Sequence, residues 1–112
     1  MDIAFDTLPA GATRIVLTGR LDIRGAAAID LRFAAVAVAS RAVVVDLGGV
    51  DFLASMGLRT LIMAAKAMRT KGGRMVLYRP QGEVEQVLLT SGLGDLMPII
   101  HDLAEAEARA LE

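Results

Sequence analysis

The run "AVVVDL" at residues 42–47 constrains the fold more than any other part of this chain. An uninterrupted apolar stretch rich in β-branched residues is typical of a parallel β-strand that is buried on both faces. The sequence therefore predicts a buried parallel strand near the middle of the chain.

The flanking segments alternate between the patterns of strands and helices. We predict further strands at residues 3–5, 15–19, 74–78 and 97–100. We predict helices at about 25–40, 56–71, 82–93 and 102–112, and a loop at 48–54. The turn residues "LPAG" at 8–11 indicate a hairpin between the first two strands.

Strands that alternate with helices are joined by right-handed crossovers into a largely parallel sheet. The opening hairpin makes this sheet mixed. The predicted fold class is therefore α/β, with a small, mixed and mostly parallel sheet of four to five strands flanked by about four helices.

Composition narrows the class of protein. The chain has 112 residues, of which 54% are hydrophobic and only 4% aromatic, so one domain with an aliphatic core is expected. The absence of cysteine excludes a disulfide, a thiol nucleophile and cysteine-ligated zinc. The net charge of −1, with acids and bases interspersed, predicts no nucleic-acid partner. We find no secretory signal or membrane-spanning run, and we expect a cytoplasmic protein with no membrane insertion.

The residues predict no catalytic centre. His101 is the only histidine, and a Ser-His-Asp arrangement would require Ser55 to meet it across the fold. The sequence around Ser55, "LASMG", does not match the G-x-S-x-G pattern of a nucleophile elbow. We therefore expect a protein that is not an enzyme.

No metal or cofactor site is predicted either. Three aspartates near predicted strand ends lack the spacing of metal ligands, namely Asp22, Asp46 and Asp51. The glycine pairs at 48–49 and 72–73 match neither phosphate-binding glycine pattern, and turns and helix caps explain them better.

Ser55 allows two interpretations, because it lies where an apolar strand gives way to an amphipathic helix. Serine is among the best helix N-caps and stabilises a helix by ~1 kcal/mol relative to alanine. The acid of a capping box is missing, since Leu58 occupies its position. The same position also suits a phosphoryl group, because the free N–H groups and the dipole of a helix N-terminus favour an anion. Phosphorylation would then disrupt an apolar surface around Phe52, Leu53 and Met56.

The segment "VVVDLGGVDFLASMGLRTL" resembles the signature of STAS domains, in particular of bacterial anti-sigma factor antagonists. Further similarity lies in "IVLTGRLDIRGA", "GGRMVLY" and "VLLTSGLGDLMPII", and it extends in order from about Ile3 to Leu103. The resemblance implies a small mixed sheet flanked by helices and a regulatory protein without enzymatic activity.

The resemblance also implies a partner-switching cycle. In this family the dephosphorylated antagonist binds an anti-sigma factor that is also a serine kinase, and phosphorylation releases it. A PP2C-type phosphatase then restores binding. The residue that the family phosphorylates aligns with Ser55, and Gly57 and Leu58 match as well. Two positions depart from the family pattern: Ala54 replaces an aspartate and Met56 replaces serine or threonine.

The resemblance predicts a docking surface around the phosphorylation site Ser55. Its expected members are Asp22, Asp51, Phe52, Ala54, Met56, Gly57 and Arg59. Gly57 is expected to let a partner approach the helix start, and Asp22 is expected either to contact the partner or to cap its helix.

The alternative is a docking subunit that is never phosphorylated, for example on a transporter ATPase, in which Ser55 only caps the helix. The alanine-rich first helix, with Phe33, Val36 and Val38, could cover the sheet or leave a patch for a weak homodimer.

Overall fold

The chain folds into five strands and four helices, described over residues 1–112 in a computed structural model. The strands are β1 (Asp2–Thr7), β2 (Thr13–Leu21), β3 (Ala42–Leu53), β4 (Arg74–Tyr78) and β5 (Ile99–Ile100). The helices are α1 (Ile23–Ala39), α2 (Ser55–Thr70), α3 (Gly82–Thr90) and α4 (Leu103–Ala110).

The strands form one sheet in the order β1-β2-β3-β4-β5. β1 pairs antiparallel with β2, and every other neighbouring pair is parallel. The predicted hairpin is present, and its turn is closed by a hydrogen bond of 2.8 Å from the Leu8 N–H to the Ala12 carbonyl. The predicted fold class is confirmed.

Both faces of β3 are buried, as the valine run predicts. Val43 and Val45 belong to the larger core, in which α1, α2 and α3 cover one face of the sheet. Val44 belongs to a second, smaller core, in which Ala106 and Ala110 of α4 cover the opposite face. A strand between two helical layers needs apolar side chains on both of its faces.

Helix α4 is attached to the hairpin by a buried carboxylate. Glu107 is 6% exposed. Its Oε2 accepts hydrogen bonds of 3.0 Å from the N–H groups of Ala10 and Ala12. A buried carboxylate is tolerated where backbone donors satisfy it in this way.

The predicted loop at residues 48–54 is wrong, because β3 continues to Leu53. Its second half pairs with the second half of β2, where Arg20 lies opposite Phe52 and Leu21 opposite Leu53. The ladder shifts register on both sides of Gly19, whose φ of +115° suits glycine. The turn-forming residues in the second half of β3 therefore coincide with an irregularity in the strand, and the strand does not end there.

An ion pair between the buried Asp46 and the exposed Arg79 joins β3 to the connection that leads into α3. Asp46 has a side chain only 3% exposed, and it accepts hydrogen bonds of 3.0 and 3.2 Å from the Arg79 guanidinium. The hydrogen bond to Asp46 raises the pKa of Arg79. Gln81, just before α3, donates a bond of 2.9 Å to the Gly48 carbonyl. These contacts fix where α3 begins relative to β3.

Helix α1 divides its apolar residues between the core and the surface. Phe33 is fully buried, while Val38 is 40% and Leu31 is 87% exposed. The helix therefore covers the sheet and still carries exposed apolar side chains. Self-association through this outer face stays a prediction.

The start of α2 lies directly against the end of β2. The Ala54 N–H donates a hydrogen bond of 3.0 Å to the Leu21 carbonyl. A Cβ atom placed on Gly57 would lie 2.3 Å from the same oxygen and 2.5 Å from Cγ of Leu21. Only glycine allows the helix to approach the strand this closely.

We expect Gly57→Ala to destabilise the protein by about 1–3 kcal/mol, because the added methyl group overlaps Leu21. In an unconstrained helix the same change would be stabilising. Gly82→Ala is the matched control, because a Cβ at the first residue of α3 meets nothing within 4 Å. Its free energy of unfolding should stay within about 0.5 kcal/mol of the wild type. Urea denaturation measures both, and equal stabilities for the two variants would contradict the steric argument.

Candidate partner-binding site

The candidate site lies where β2 and β3 end side by side. The two strands are parallel, and their last residues, Leu21 and Leu53, are register partners. α1 begins two residues after Leu21 and α2 two residues after Leu53. Two helix N-termini therefore emerge at the same edge of the sheet, which is the edge where parallel sheets usually carry ligand sites.

Ser55 is the first residue of α2 rather than its N-cap. The N-cap position is Ala54, and no side chain caps this helix. The Ser55 side chain is exposed and makes no hydrogen bond, whereas Ser40 donates to Thr13 and Ser91 to the Val87 carbonyl. The interpretation of Ser55 as a capping residue is therefore wrong. Its hydroxyl is free and faces solvent.

Apolar side chains lie on both sides of Ser55 in the sequence and remain accessible. Phe52 is 39% exposed and Met56 is 41% exposed. The Arg20 guanidinium carbon lies 4.1 Å from the centroid of the Phe52 ring, a cation–π contact. The sequence does not point to Arg20. Arg20 pairs with Phe52 only because β3 extends through residues 48–53, which the sequence predicts to be part of a loop.

Asp22 caps α1. Its Oδ1 accepts a hydrogen bond of 2.8 Å from the Gly25 N–H. That bond, with a smaller contribution from Arg20, lowers the pKa of Asp22. Of the two roles considered for Asp22, the structure shows the cap, and a partner contact stays a prediction.

The other predicted surface residues differ in how exposed they are. Asp51 and Arg59 are exposed and form no ion pair, and Ala54 is half-buried. Gly57 is buried against Leu21, so its small size serves the contact between α2 and β2 within the protein. Close approach of a partner at Gly57 stays a prediction.

An open groove of about 550 Å³ begins at Ser55 and continues to α3. Its lining contains no charged residue and consists of Leu53, Ala54, Ser55, Leu58, Gln86, Val87, Thr90 and Ser91. Half of this lining comes from the region of α3, which no feature of the sequence connects with Ser55. No sequence pattern signals this proximity, because it depends on how α3 packs against the sheet.

The remaining candidates do not join this site. The His101 ring lies after β5, with Nε2 at 2.7 Å from an oxygen of Glu85 in α3. No group of three or more residues among histidine, aspartate and glutamate could hold a metal ion. None of the four helices has both the length and the apolar character needed to cross a bilayer.

Comparison with known families agrees with this architecture. Residues 9–106 match the model of the STAS domain. The chain belongs to the STAS domain family. The resemblance seen in the sequence motifs is thereby confirmed.

Individual relatives are similar in sequence and in structure. BtrV of Bordetella bronchiseptica, named as a proposed anti-sigma factor antagonist, is 35% identical over 68 residues, which cover 61% of this chain and 59% of BtrV. The match therefore spans less than two thirds of that relative. A structure from Thermotoga maritima, also described as a proposed anti-sigma factor antagonist, is similar with a TM-score of 0.83 at 18% identity, covering 98% of this chain and 95% of the other.

The Bacillus protein SpoIIAA has been solved in two chemical states. Its unphosphorylated form is similar with a TM-score of 0.77 at 21% identity and covers 96% of this chain and 95% of its own. Its phosphorylated form has a TM-score of 0.73 at 21% identity and covers 96% and 98%. At this identity the likeness concerns the fold.

Asp22→Asn should remove a pH-dependent part of the stability while keeping a cap, because asparagine also accepts from the Gly25 N–H. The pKa of Asp22 is lowered in the folded state from its ordinary 3.8. A lowered pKa means that the carboxylate stabilises the fold above pH 3.8, and that this contribution is lost as the pH falls through the folded-state pKa. Urea denaturation of both proteins between pH 2 and pH 7 should show a stability gap that closes in acid. A gap independent of pH would show that the charge of Asp22 is unimportant.

Proposed function

We propose that this protein is an anti-sigma factor antagonist that binds a serine-kinase anti-sigma factor while Ser55 is unmodified and is released when Ser55 is phosphorylated. One observation carries the proposal. Of the three serines in the chain, Ser55 alone has an exposed hydroxyl that makes no hydrogen bond. It also lies beside the exposed apolar side chains Phe52 and Met56. The naming of BtrV and the phosphorylated form of SpoIIAA support this assignment.

The start of α2 is suited to a phosphoryl group. The first hydrogen bond of the helix runs from the Leu58 N–H to the Ala54 carbonyl, so the preceding N–H groups lie ahead of the helical ladder. No side chain caps them. A phosphate on Ser55 would therefore meet backbone donors and the positive end of the helix dipole, and the fold would tolerate it.

The same phosphate opposes docking. It brings about −1.5 to −2 charges to a surface whose exposed apolar members are Phe52 and Met56. A partner that covers these side chains would have to desolvate the phosphate, and this cost weakens the complex. A PP2C-type phosphatase would restore binding by removing the charge.

Ala54 and Met56 adapt the surface to this mechanism. With alanine at position 54, no carboxylate lies directly before Ser55, so the phosphoryl group supplies the dominant negative charge at the helix start. Met56 is flexible and polarisable, and it adds apolar area that can adjust to a partner. The docking surface of this proposal consists of Arg20, Asp22, Asp51, Phe52, Ala54, Met56 and Arg59.

Phosphorylation is tested by the intact mass and peptide map of the protein isolated from its native host. We expect a species heavier by about 80 Da, the mass of one phosphoryl group, mapped to Ser55 and absent in Ser55→Ala. Purified serine-kinase anti-sigma factors of the host with ATP should transfer the group to Ser55. They should leave Ser91 unmodified, because the Ser91 hydroxyl is bonded to the Val87 carbonyl.

Deletion of the PP2C phosphatases of the host should increase the modified fraction. If Ser55 stays unmodified in that background under all growth conditions, the switch is excluded. The alternative of a docking subunit that is never phosphorylated, for example on a transporter ATPase, would then be favoured.

The docking surface is tested by Phe52→Ala and Met56→Ala. Each should weaken binding to the purified anti-sigma factor by about 30-fold, equivalent to about 2 kcal/mol, because exposed apolar side chains at an interface centre carry much of the affinity. Leu111→Ala is the matched control, because Leu111 is 46% exposed but follows α4 on the other face of the sheet. It should change affinity by less than about twofold. Titration calorimetry measures all three, and an equal loss in the control would contradict the assignment of the surface.

A further inference from the structure

A second cavity lies at the far end of α2 from Ser55. It has a volume of about 170 Å³ and contains three arginines in its lining: Arg69 in the last turn of α2, Arg74 at the start of β4 and Arg109 in α4. Ala65, Met75 and Val76 contribute apolar lining. Three separate elements therefore each contribute an arginine to the lining of one small cavity.

The positive charges at this cavity are poorly compensated within the protein. Arg69 and Arg74 form no ion pair, and Arg109 has only a contact of 3.7 Å with the exposed Glu112. Asp95 also lines the cavity, yet it pairs with none of the three. The Arg41 guanidinium lies nearby, 3.7 Å from the position of a Cβ on Gly72.

Helix electrostatics explain only part of this arrangement. Arg69 and Arg109 lie in the last turns of their helices, where a cation is favourable. That effect does not require Arg74, which lies on a strand, to converge on the same cavity. Like charges that line one cavity repel one another, and a bound anion would reduce this repulsion.

We infer that this cavity binds a small phosphate-bearing anion. Guanidinium groups pair with phosphate oxygens through parallel hydrogen bonds, and three of them match the several oxygens of one phosphoryl group. Pockets for drug-sized ligands have volumes of roughly 300–1,000 Å³. The smaller cavity here suits one or two phosphoryl groups.

This site is independent of the proposed switch. Arg69 follows Ser55 by fourteen residues of α2, which corresponds to about 21 Å at the rise of an α-helix. An anion in the cavity would therefore leave the docking surface accessible. Failure of one proposal would not affect the other.

Titration of the ¹⁵N-labelled protein with inorganic phosphate and with pyrophosphate, at constant ionic strength, tests the inference by NMR. We expect saturable shifts of the amide signals of Arg69, Gly72, Gly73, Arg74 and Arg109 with at least one of these anions. The signals of Ser55 and Met56 should not move. Shifts that are linear, or that sodium chloride reproduces, would overturn the inference.

Charge-removing variants separate the cavity from general electrostatics. Arg69→Gln and Arg74→Gln should each weaken binding by about tenfold or more, because each removes a charge-assisted hydrogen bond. Both side chains are exposed, and circular dichroism should show an unchanged fold. Lys66→Gln removes one positive charge from the same helix outside the lining and should change affinity by less than about twofold. Equal effects of all three variants would overturn the inference.

Discussion

The contact between the end of β2 and the start of α2 determines the geometry of the candidate site. The Leu21 carbonyl accepts the Ala54 N–H, and the Gly57 backbone lies so close to Leu21 that no Cβ fits between them. This contact fixes the axis of α2 against the sheet edge. It buries Gly57 and leaves Ser55, two residues earlier, directed to solvent. Gly57 thus contributes to the packing of α2 against β2, and it affects the surface only through the position that this packing gives to Ser55.

The two helices that begin at this edge differ in whether a side chain caps their N-terminus. Asp22 caps α1 with its own carboxylate, whereas α2 begins after Ala54 with no side-chain cap. A missing cap leaves about 1 kcal/mol of helix stability unrealised. In the unmodified protein the backbone N–H groups that a cap would bind have no side-chain partner. A phosphate on Ser55 could supply this interaction. Weak local stability at α2 and suitability for modification have the same physical origin.

Much of the fold follows from patterns that the sequence displays. The "AVVVDL" run requires a strand between two apolar layers, and the structure places Val43 and Val44 in different cores. The extension of β3 to Leu53 was missed, because glycine and aspartate usually mark a loop and only the pairing with β2 reveals a strand. Arg20 was missed for the same reason. The α3 wall of the groove was missed because it depends on the Asp46–Arg79 pair and on helix packing, which have no local pattern.

The two ends of α2 meet the requirement for anion binding by opposite means. At the N-terminus the backbone itself is positive, so the proposed phosphate on Ser55 would not depend on a side-chain cation. At the C-terminus the dipole opposes an anion, and binding there requires side-chain cations strong enough to overcome it. Three arginines from α2, β4 and α4 line that end; Arg69 and Arg109 each offset the dipole of their own helix, which leaves Arg74 in excess. Because the positive charge at this cavity exceeds what offsets the helix dipoles, we assign a ligand to the cavity rather than a purely structural role to its arginines.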